Sequence, residues 1–415
     1  MTSSETTAGG AAAMHAPDSR YAWIRLAAAV LISTIGGVGM WSFVVALPAT
    51  QAAFAVDRAD ASLPFTLAMF GFAIGGVLMG WFADRFGIVM PVIAGASALA
   101  LGYVASGYAP TLWLFAAAHG LIGFGSSAML GPLMADISHW FIRRRGLAVT
   151  VCSSGNYLAG TVWPPIVQHF ITSDGLRATQ IGIGVFCVIT MVPIALLMLR
   201  RRAPAQHAAA AGTMPAAAPG ALGVSSGMLQ GLLCAAGVAC CVAMAMPQVH
   251  LVAYCGDLGY GAAHGADMLA AMMGFGMISR ILSGVVADRI GGLATLLISS
   301  ALQGLALFLY LLFDGLASLY VISALFGLFQ GGLIPMYAVV IREYFSPREV
   351  GIRVGLVLMA TLVGMAFGGW VSGWIFDLTG SYQAAFLNGL VWNFLNLAIV
   401  GWLILRRERL RLAVA

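Results

Sequence analysis

Long apolar stretches, separated by short polar segments, follow one another along almost the whole chain. A helix needs about 20 apolar residues to cross about 30 Å of hydrocarbon, and each stretch is long enough to do so. We therefore predict an all-α membrane protein with twelve transmembrane helices, numbered here as spans 1 to 12. Their predicted limits are 22–49, 61–82, 88–107, 111–138, 146–172, 178–199, 226–252, 264–286, 292–313, 315–341, 350–376 and 382–405.

Two segments lack this pattern. Residues 1–20 are rich in Ala, Ser and Thr and have no basic region before an apolar core, which predicts a disordered cytosolic tail and not a signal peptide. Residues 200–225 open with three arginines and continue in Ala, Pro and Gly, the composition of a flexible linker. The pattern thus predicts two six-helix halves, 21–199 and 226–405, joined by a cytosolic linker and followed by a cytosolic tail at 406–415.

Composition excludes several classes of protein. Hydrophobic residues make up 61% of the chain and charged residues only 8%, whereas soluble domains have about 25% charged residues. The net charge is only +5 and the basic residues sit at helix ends, so we expect no nucleic-acid binding. The chain has no lysine for Schiff-base chemistry, no metal-ligand spacing, no nucleophile elbow and no phosphate loop. We therefore expect no enzyme, no cofactor and no metal, and we interpret the six cysteines as free thiols.

The arginines predict the orientation in the membrane. If the N-terminus is cytosolic, 17 of the 20 basic residues fall on the cytosolic side, whereas the outer loops carry mainly aspartates. We expect a multi-pass protein of the cell inner (plasma) membrane with both termini in the cytoplasm. We also expect it to be a monomer.

The chain repeats itself at an offset of about 204 residues. The sequence G-x-x-x-D-R-x-G closes span 2 at residues 80–87 and closes span 8 at residues 284–291. Six spans per repeat give the second copy the same orientation as the first, an arrangement found in secondary transporters. Each aspartate can pair with an arginine or a helix N-terminus, and each first glycine permits a close helix contact. We therefore predict a conformational gating role for these loops, in which the residues are Gly80, Asp84, Arg85, Gly284, Asp288 and Arg289.

These loops and the twelve spans resemble the major facilitator superfamily over essentially the whole chain past residue 20. Three local features resemble its monocarboxylate porter branch, near the oxalate/formate exchangers. They are Tyr21-Ala22-Trp23, the run from Trp140 to Ala148, and Arg280 eight residues before Asp288. The resemblance implies a rocker-switch carrier whose central cavity is lined by spans 1, 2, 4, 5, 7, 8, 10 and 11. It also implies that the two G-x-x-x-D-R-x-G loops, called the D-R loops below, hold the cytosolic side closed.

Arg280 is the charge that lies deepest in a predicted span. Its distance from Asp288 places it about 12 Å deeper than the cytosolic boundary. A mid-membrane arginine costs at least about 2.5 kcal/mol and keeps its proton, so it needs an anion or water. The position one turn before it is Gly276, and the repeat equivalent is Gly76. A carboxylate substrate, held by the guanidinium fork, is the counter-ion that the sequence predicts.

Other polar residues at membrane depth complete the predicted site. His119 in span 4 and Asn156 in span 5 are candidates for bonding the far end of the substrate. His250 follows Pro247 in span 7, and the resemblance to bacterial porters makes it a further candidate that could also carry a proton. We also assign cavity positions to Gln330 and Tyr337, which flank Pro335 in span 10.

The leading hypothesis is therefore secondary active transport of small monocarboxylate anions, with proton coupling left open. The resemblance weakens proton symport, because animal porters carry an acid at the position of Gly276 and a lysine in span 1, both absent here. One alternative is an anion exchanger of the oxalate/formate type. A drug-type proton antiporter would need a mid-membrane acid in the first half, which this chain lacks. A non-transporting metabolite sensor is the remaining alternative. The expected partners are a small organic anion, the lipid bilayer and, in the coupled case, protons.

Overall fold

A computed structural model describes residues 18–199, 222–346 and 349–414, and the regular structure in these ranges is helical. Eleven of its helices are long and apolar enough to cross a membrane. The helices of the first six spans are Arg20–Gly36, Val38–Phe54, Arg58–Ala61, Leu63–Phe86, Val89–Gly107, Leu112–Ser127, Gly131–Trp140 and Arg145–Met198. Those of spans 7 to 12 are Ser226–Asp257, Ala262–Ile290, Gly292–Leu312, Leu316–Gln330, Leu333–Tyr344, Val350–Thr379 and Tyr382–Val414.

The helix Arg145–Met198 accounts for both span 5 and span 6. It has 54 residues, which would extend about 80 Å as one straight helix, more than twice the thickness of the hydrocarbon. The backbone leaves the helical region at Gly175, with φ 81° and ψ 166°, a combination that is accessible essentially only to glycine. If this helix is counted as two segments divided at Gly175, the eleven apolar helices become twelve, the number of spans predicted from the sequence.

Spans 1, 4 and 10 are each built from two consecutive helices. The helix of span 1 is interrupted at Gly37, that of span 4 at residues 128–130, and that of span 10 at Gly331 and Gly332. The interruptions in spans 4 and 10 fall at nearly equivalent positions of the repeat. Interrupted helices free backbone groups, and in transporters such backbone is tolerated where it lines a site or is buried in protein.

The chain packs as two compact units whose boundaries differ from those of the predicted halves. Among the described residues, the second unit contains 222–346 and 349–414 together with Phe43–Met69 and Pro164–His169, and the first unit contains the remainder. The ends of spans 1 and 2 around residues 43–69 therefore pack with spans of the C-terminal half. The predicted tail at 1–20 and linker at 200–225 lie largely outside the described residues, so the domain boundaries stay a prediction.

Equivalent pairs of spans make a close helix contact in each unit, spans 2 and 4 in the first and spans 8 and 10 in the second. In the first unit, Gly71 of span 2 lies so close to span 4 that an added Cβ would overlap the carbonyl oxygen of Gly120. In the second unit, Gly327 of span 10 lies against span 8 in the same manner, next to the carbonyl oxygen of Met272. Small residues allow this close approach in lipid, where van der Waals packing drives helix association.

The last glycine of each G-x-x-x-D-R-x-G motif ends a helix. Gly87 has φ 81° and Gly291 has φ 86°, values that side chains other than glycine rarely adopt. In each motif the glycine N–H donates to the carbonyl oxygen four residues earlier, Ala83 or Ala287, at 2.9 and 2.8 Å. This glycine is therefore required by the backbone turn that follows the aspartate and the arginine.

The Tyr21 and Trp140 motifs pack against one another at one end of the first unit. The ring of Tyr21 contacts that of Trp140 edge-on at 5.2 Å, and Trp23 contacts Phe141 at 5.0 Å. Behind them Arg25 is fully buried, and its Nε and Nη2 donate to the two carboxylate oxygens of Asp136, each at 2.8 Å. The indole of Trp140 stacks on this guanidinium at 4.7 Å. The clamp ties span 1 to the end of span 4.

We expect removal of either charge of this clamp to destabilise the protein, because the remaining charge is buried without its counter-ion. Arg25→Met or Asp136→Leu alone should cost about 3 kcal/mol or more, whereas the double variant should recover most of the loss. Thermal unfolding in detergent measures this. Glu349→Gln, which removes the exposed Glu349–Arg353 pair, is the control and should change little. Equal losses in the single and double variants would contradict the assignment.

Candidate substrate site

Arg280 lies within the helix Ala262–Ile290, which is span 8, and its side chain is half-buried. Eighteen residues precede it in the helix and ten follow, so both helix ends are at least about 15 Å away along the axis. A guanidinium carries a positive charge, so Arg280 is an electrostatic focus of the second unit, and its depth in a membrane stays a prediction.

The interruption of span 10 lies directly beside Arg280. Gly331 packs on Gly276, one turn before the arginine, so closely that a Cβ would overlap the Gly276 carbonyl oxygen. The N–H of Gly332 donates to Oγ of Ser279 at 3.1 Å, next to the arginine in sequence. The second helix of span 10 begins at Leu333, and its positive dipole end therefore lies at the same level. Discontinuous helices present such ends to anionic substrates in other transporters.

Gln330 lies immediately before this interruption and is almost fully buried. Its Oε1 accepts a hydrogen bond of 2.9 Å from Nε2 of Gln248 in span 7, whereas its own Nε2 has no hydrogen-bond partner among the described residues. The predicted site did not include Gln248. The available sequence signal was an amide in span 7, about one turn before the end of the predicted span.

Tyr337 lies in the second helix of span 10 and is fully buried in the apolar core of the second unit. Its hydroxyl donates to Oδ1 of Asn396 in span 12 at 3.1 Å, and Asn396 in turn donates to Oγ of Ser300 in span 9 at 2.7 Å. These bonds satisfy buried polar groups of three helices, and the contact of Tyr337 with substrate stays a prediction.

His250 is fully buried near the end of span 7 and is held by two other spans. Its Nε2 lies 2.8 Å from the carbonyl oxygen of Gly369 in span 11, and its Nδ1 lies 3.3 Å from the hydroxyl of Tyr382 in span 12. The Tyr382 hydroxyl also accepts a hydrogen bond from Arg58. The histidine is therefore part of a larger polar cluster that sequence reasoning did not find.

Arg58, Asp257 and Asp377 form the charged part of this cluster. We call these three residues the latch. The Arg58 guanidinium donates to both carboxylate oxygens of Asp257, at 3.0 and 3.3 Å, and to Oε1 of Gln51 at 2.7 Å. The carboxylate of Asp377 accepts from the backbone N–H groups of Arg58 and Ala59 at 2.9 and 2.7 Å. The latch thereby joins the start of span 2 to the ends of spans 7 and 11.

His119 and Asn156 belong to the first unit. His119 is fully buried, with Nδ1 at 2.9 Å from the carbonyl oxygen of Phe115 one turn earlier and its ring 4.4 Å from the Phe115 ring. Asn156 is half-buried and faces span 1, where its Oδ1 lies next to Gly37 at the helix interruption. The Trp41 indole N–H donates to the Asn156 carbonyl oxygen at 3.1 Å. Their contact with substrate stays a prediction.

The D-R loops are exposed in this structure. Asp84, Arg85, Asp288 and Arg289 are all exposed, and Arg85 stacks on Trp81 of its own helix. The close helix contact predicted at Gly80 and Gly284 is absent, since a Cβ at either position would meet no described atom within 4 Å. Open space at both glycines gives them no packing role in this conformation, and the gating role of the loops stays a prediction.

A family model described as the Major Facilitator Superfamily matches residues 29–316 and 231–414, which together cover nearly all of the chain. The chain belongs to the major facilitator superfamily. This superfamily membership agrees with the helical fold, the repeated packing and the transporter-like interrupted helices. It also establishes that the protein is a multi-pass membrane transporter and not an enzyme.

Individual relatives are similar along most of this major facilitator chain. Monocarboxylate transporter 13 of Bos taurus is 26% identical over 381 residues, covering 89% of this chain and 86% of its own. Monocarboxylate transporter 11 of Homo sapiens is 26% identical over 384 residues, covering 89% and 80%. A solved bacterial homologue of the human lysosomal transporter Spinster has a TM-score of 0.68 at 14% identity, covering 96% of this chain and 97% of that one. The last similarity concerns the fold alone.

The close contact at Gly327 allows a direct test of how span 10 packs against span 8, the span that carries Arg280. Gly327→Ala should push span 10 away from span 8, because the added Cβ would overlap backbone atoms of Met272. We expect a loss of about 1–3 kcal/mol in stability, measured as a lower melting temperature and folded yield in detergent. Gly284→Ala adds the same methyl group to span 8 in open space and should be tolerated. Equal behaviour of the two variants would contradict the close packing.

Proposed function

We propose that the protein is a secondary active transporter of small monocarboxylate anions that works by alternating access. The observation that carries this proposal is the half-buried guanidinium of Arg280, deep in span 8 and beside the interruption of span 10. We further propose that it resides in a cell inner (plasma) membrane with both termini in the cytoplasm. The arginine distribution supports this orientation, which places the D-R loops inside and the latch outside.

The chemistry at Arg280 suits a carboxylate. A guanidinium presents parallel N–H donors that match the two oxygens of a carboxylate, and charge-assisted bonds of this kind are among the strongest in proteins. The start of the second helix of span 10, held against Ser279 by the Gly332 N–H, adds positive potential at the same level. Both features favour an anion with its charge in one compact group.

A monocarboxylate fits better than a dicarboxylate. The described residues of spans 7 to 12 contain one basic side chain in the middle of a span, Arg280, while Arg353 lies near the start of span 11 and pairs with Glu349. The similarity to transporters that are named for monocarboxylates supports the same choice. We assign Gln330, the neighbour of the interruption, to a substrate oxygen next to the carboxylate.

An anion exchanger of the oxalate/formate type is the second candidate. It is favoured by Gly276, which stands where proton-coupled animal porters are expected to carry an acid. The two candidates share the binding chemistry at Arg280 and differ in what drives transport. Exchange requires anion on the opposite side of the membrane, whereas proton symport responds to a pH gradient.

Substitution of Arg280 tests the proposal in proteoliposomes. Arg280→Lys and Arg280→Ala should each lower uptake of labelled lactate or pyruvate by about a hundredfold or more, because a buried charge-assisted interaction is lost. The same anions should raise the melting temperature of the parent protein and not that of the variants. Arg353→Lys is the matched control.

Parent-like uptake by both Arg280 variants would overturn the assignment. Loss of uptake together with an unchanged ligand-induced shift in melting temperature would move the binding site elsewhere. Running the assay with and without internal anion, and with and without a pH gradient, separates exchange from symport.

Gln330 should contribute selectivity. Its buried Nε2 donor lacks a protein partner among the described residues, so a substrate oxygen next to the carboxylate would satisfy it. We expect Gln330→Leu to weaken 2-oxo and 2-hydroxy acids about tenfold relative to unsubstituted acids of the same length. Competition against labelled pyruvate measures this ratio, with the exposed Gln383→Leu as control. An unchanged ratio would remove Gln330 from the site.

A further inference from the structure

A chain of hydrogen bonds connects the buried His250 to the latch. The Arg58 guanidinium bonds to Asp257 and to the hydroxyl of Tyr382. That hydroxyl lies 3.3 Å from Nδ1 of His250, and Nε2 of His250 lies 2.8 Å from the carbonyl oxygen of Gly369. Four spans, 2, 7, 11 and 12, thus meet through one continuous polar path from a half-exposed carboxylate to a fully buried imidazole.

The direction of each bond in this path is determined by chemistry. A carbonyl oxygen can only accept, so Nε2 of His250 carries the hydrogen that faces Gly369. A guanidinium can only donate, so the Tyr382 oxygen accepts from Arg58. The remaining hydroxyl hydrogen of Tyr382 points at Nδ1 of His250, which accepts it in the neutral imidazole. The closed latch therefore matches one tautomer of a neutral histidine.

A proton on Nδ1 of His250 conflicts with this arrangement. The protonated ring has a donor on both nitrogens, so the Tyr382 hydroxyl hydrogen loses its acceptor and must turn away. The ring also becomes a second buried cation, separated from Arg58 by one hydroxyl group. Burial of an unpaired charge is costly, and a like charge nearby raises that cost further.

The charged and titratable groups around His250 do not offset the added charge by contact. On span 7 itself, Tyr254 lies one turn further on and Asp257 pairs with Arg58. From span 11, Asp377 binds backbone N–H groups at the start of span 2. From span 8, His264 bonds to Tyr320 of span 10. Neither carboxylate of the latch hydrogen-bonds to His250 in the structure.

We infer that His250 is a proton-binding site whose protonation releases the latch on the outer side of the membrane. The closed latch binds the proton more weakly than the open latch does, so by linkage a lower pH shifts the equilibrium towards the open latch. The negative charge of a bound carboxylate offsets the positive charge of the imidazolium at a distance, so the latch closes more readily over proton and anion together than over the proton alone. This inference rests on the proposed function and assigns the proton as its coupling ion.

Access to the contact between spans 2 and 11 reports whether the latch is open. Residues 58–69 pack on span 11, where Gly369 touches the ring of Phe65 and Thr66 donates to the Ala366 carbonyl oxygen at 3.2 Å. Ser62 lies within this segment and is fully buried, and its hydroxyl donates to the Arg58 carbonyl oxygen at 2.8 Å. Cysteine at this position is nearly isosteric with serine and should become reachable when the segment moves away.

The experiment uses Ser62→Cys in the full-length chain with the six native cysteines replaced by alanine. The protein is oriented in vesicles and exposed to a membrane-impermeant maleimide from the outer side, without substrate. We expect the labelling rate to rise about five- to tenfold from about pH 8 to about pH 5.5, across the range in which histidine ordinarily titrates. His250→Gln keeps a donor for the Gly369 carbonyl oxygen but cannot be protonated. In this variant the labelling rate, divided by that of a free thiol at the same pH, should not change with pH.

Asp257→Asn should raise labelling at every pH, because it removes the charge that holds Arg58. Glu349→Gln, on the opposite side of the membrane, is the matched control and should change neither rate nor pH response. Lactate at low pH should restore protection in the Ser62→Cys protein. If His250→Gln does not fold, Tyr382→Phe replaces it and should reduce the pH response by at least half.

A pH response that persists in His250→Gln would overturn the inference and assign the titration to the latch carboxylates. Labelling that never depends on pH would overturn it as well. Because the substrate-free assay does not use Arg280, its outcome is independent of carboxylate binding. Lactate protection that is lost on Arg280→Ala while the pH response remains would support the inference, because proton binding at His250 then does not depend on the substrate site.

Discussion

A charge inside hydrocarbon must be neutralised where it lies, and this constraint organises the interior of the protein. Arg25 is buried against Asp136 and holds the first unit together at one end. Arg58 is buried against Asp257 and joins spans 2, 7, 11 and 12 in the second unit. Arg280 lies deeper than either, beside an interrupted helix. The same residue type thus serves as a structural clamp, as a latch and, in our proposal, as a substrate-binding group.

Close helix contacts provide the rigid framework on which these charges are placed. Gly71 against Gly120 in the first unit and Gly327 against Met272 in the second produce the same close crossing of two spans. The repeat therefore preserves the scaffold, while its equivalent positions differ in chemistry. Gly76 faces open space where the second unit has Arg280. In our proposal, this difference gives the second unit an anion site that the first unit lacks.

The connection between His250 and Arg58 joins a buried imidazole to a half-exposed carboxylate. A neutral imidazole, a phenol hydroxyl and a guanidinium are arranged so that each donor faces an acceptor. Such a network tolerates one protonation state and opposes another, which is the property that a two-state gate requires. In our proposal, substrate charge and proton charge act on the same closing motion.

The spans, the repeat and the depth of Arg280 follow from the order of residues alone, because hydrocarbon thickness and helix rise convert sequence distance into depth. The repeated motif places glycine at Gly87 and Gly291, but only the structure shows why, since the backbone there has a positive φ. Tertiary structure alone decided that Tyr337 bonds to Asn396, that Gln248 reaches Gln330, and that Arg58 leaves its loop to enter a cluster with Asp257, Asp377 and Tyr382. Periodicity specifies how deep a side chain lies in the membrane, whereas its partner depends on how helices rotate and where they break, and those are set by contacts between residues far apart in the chain.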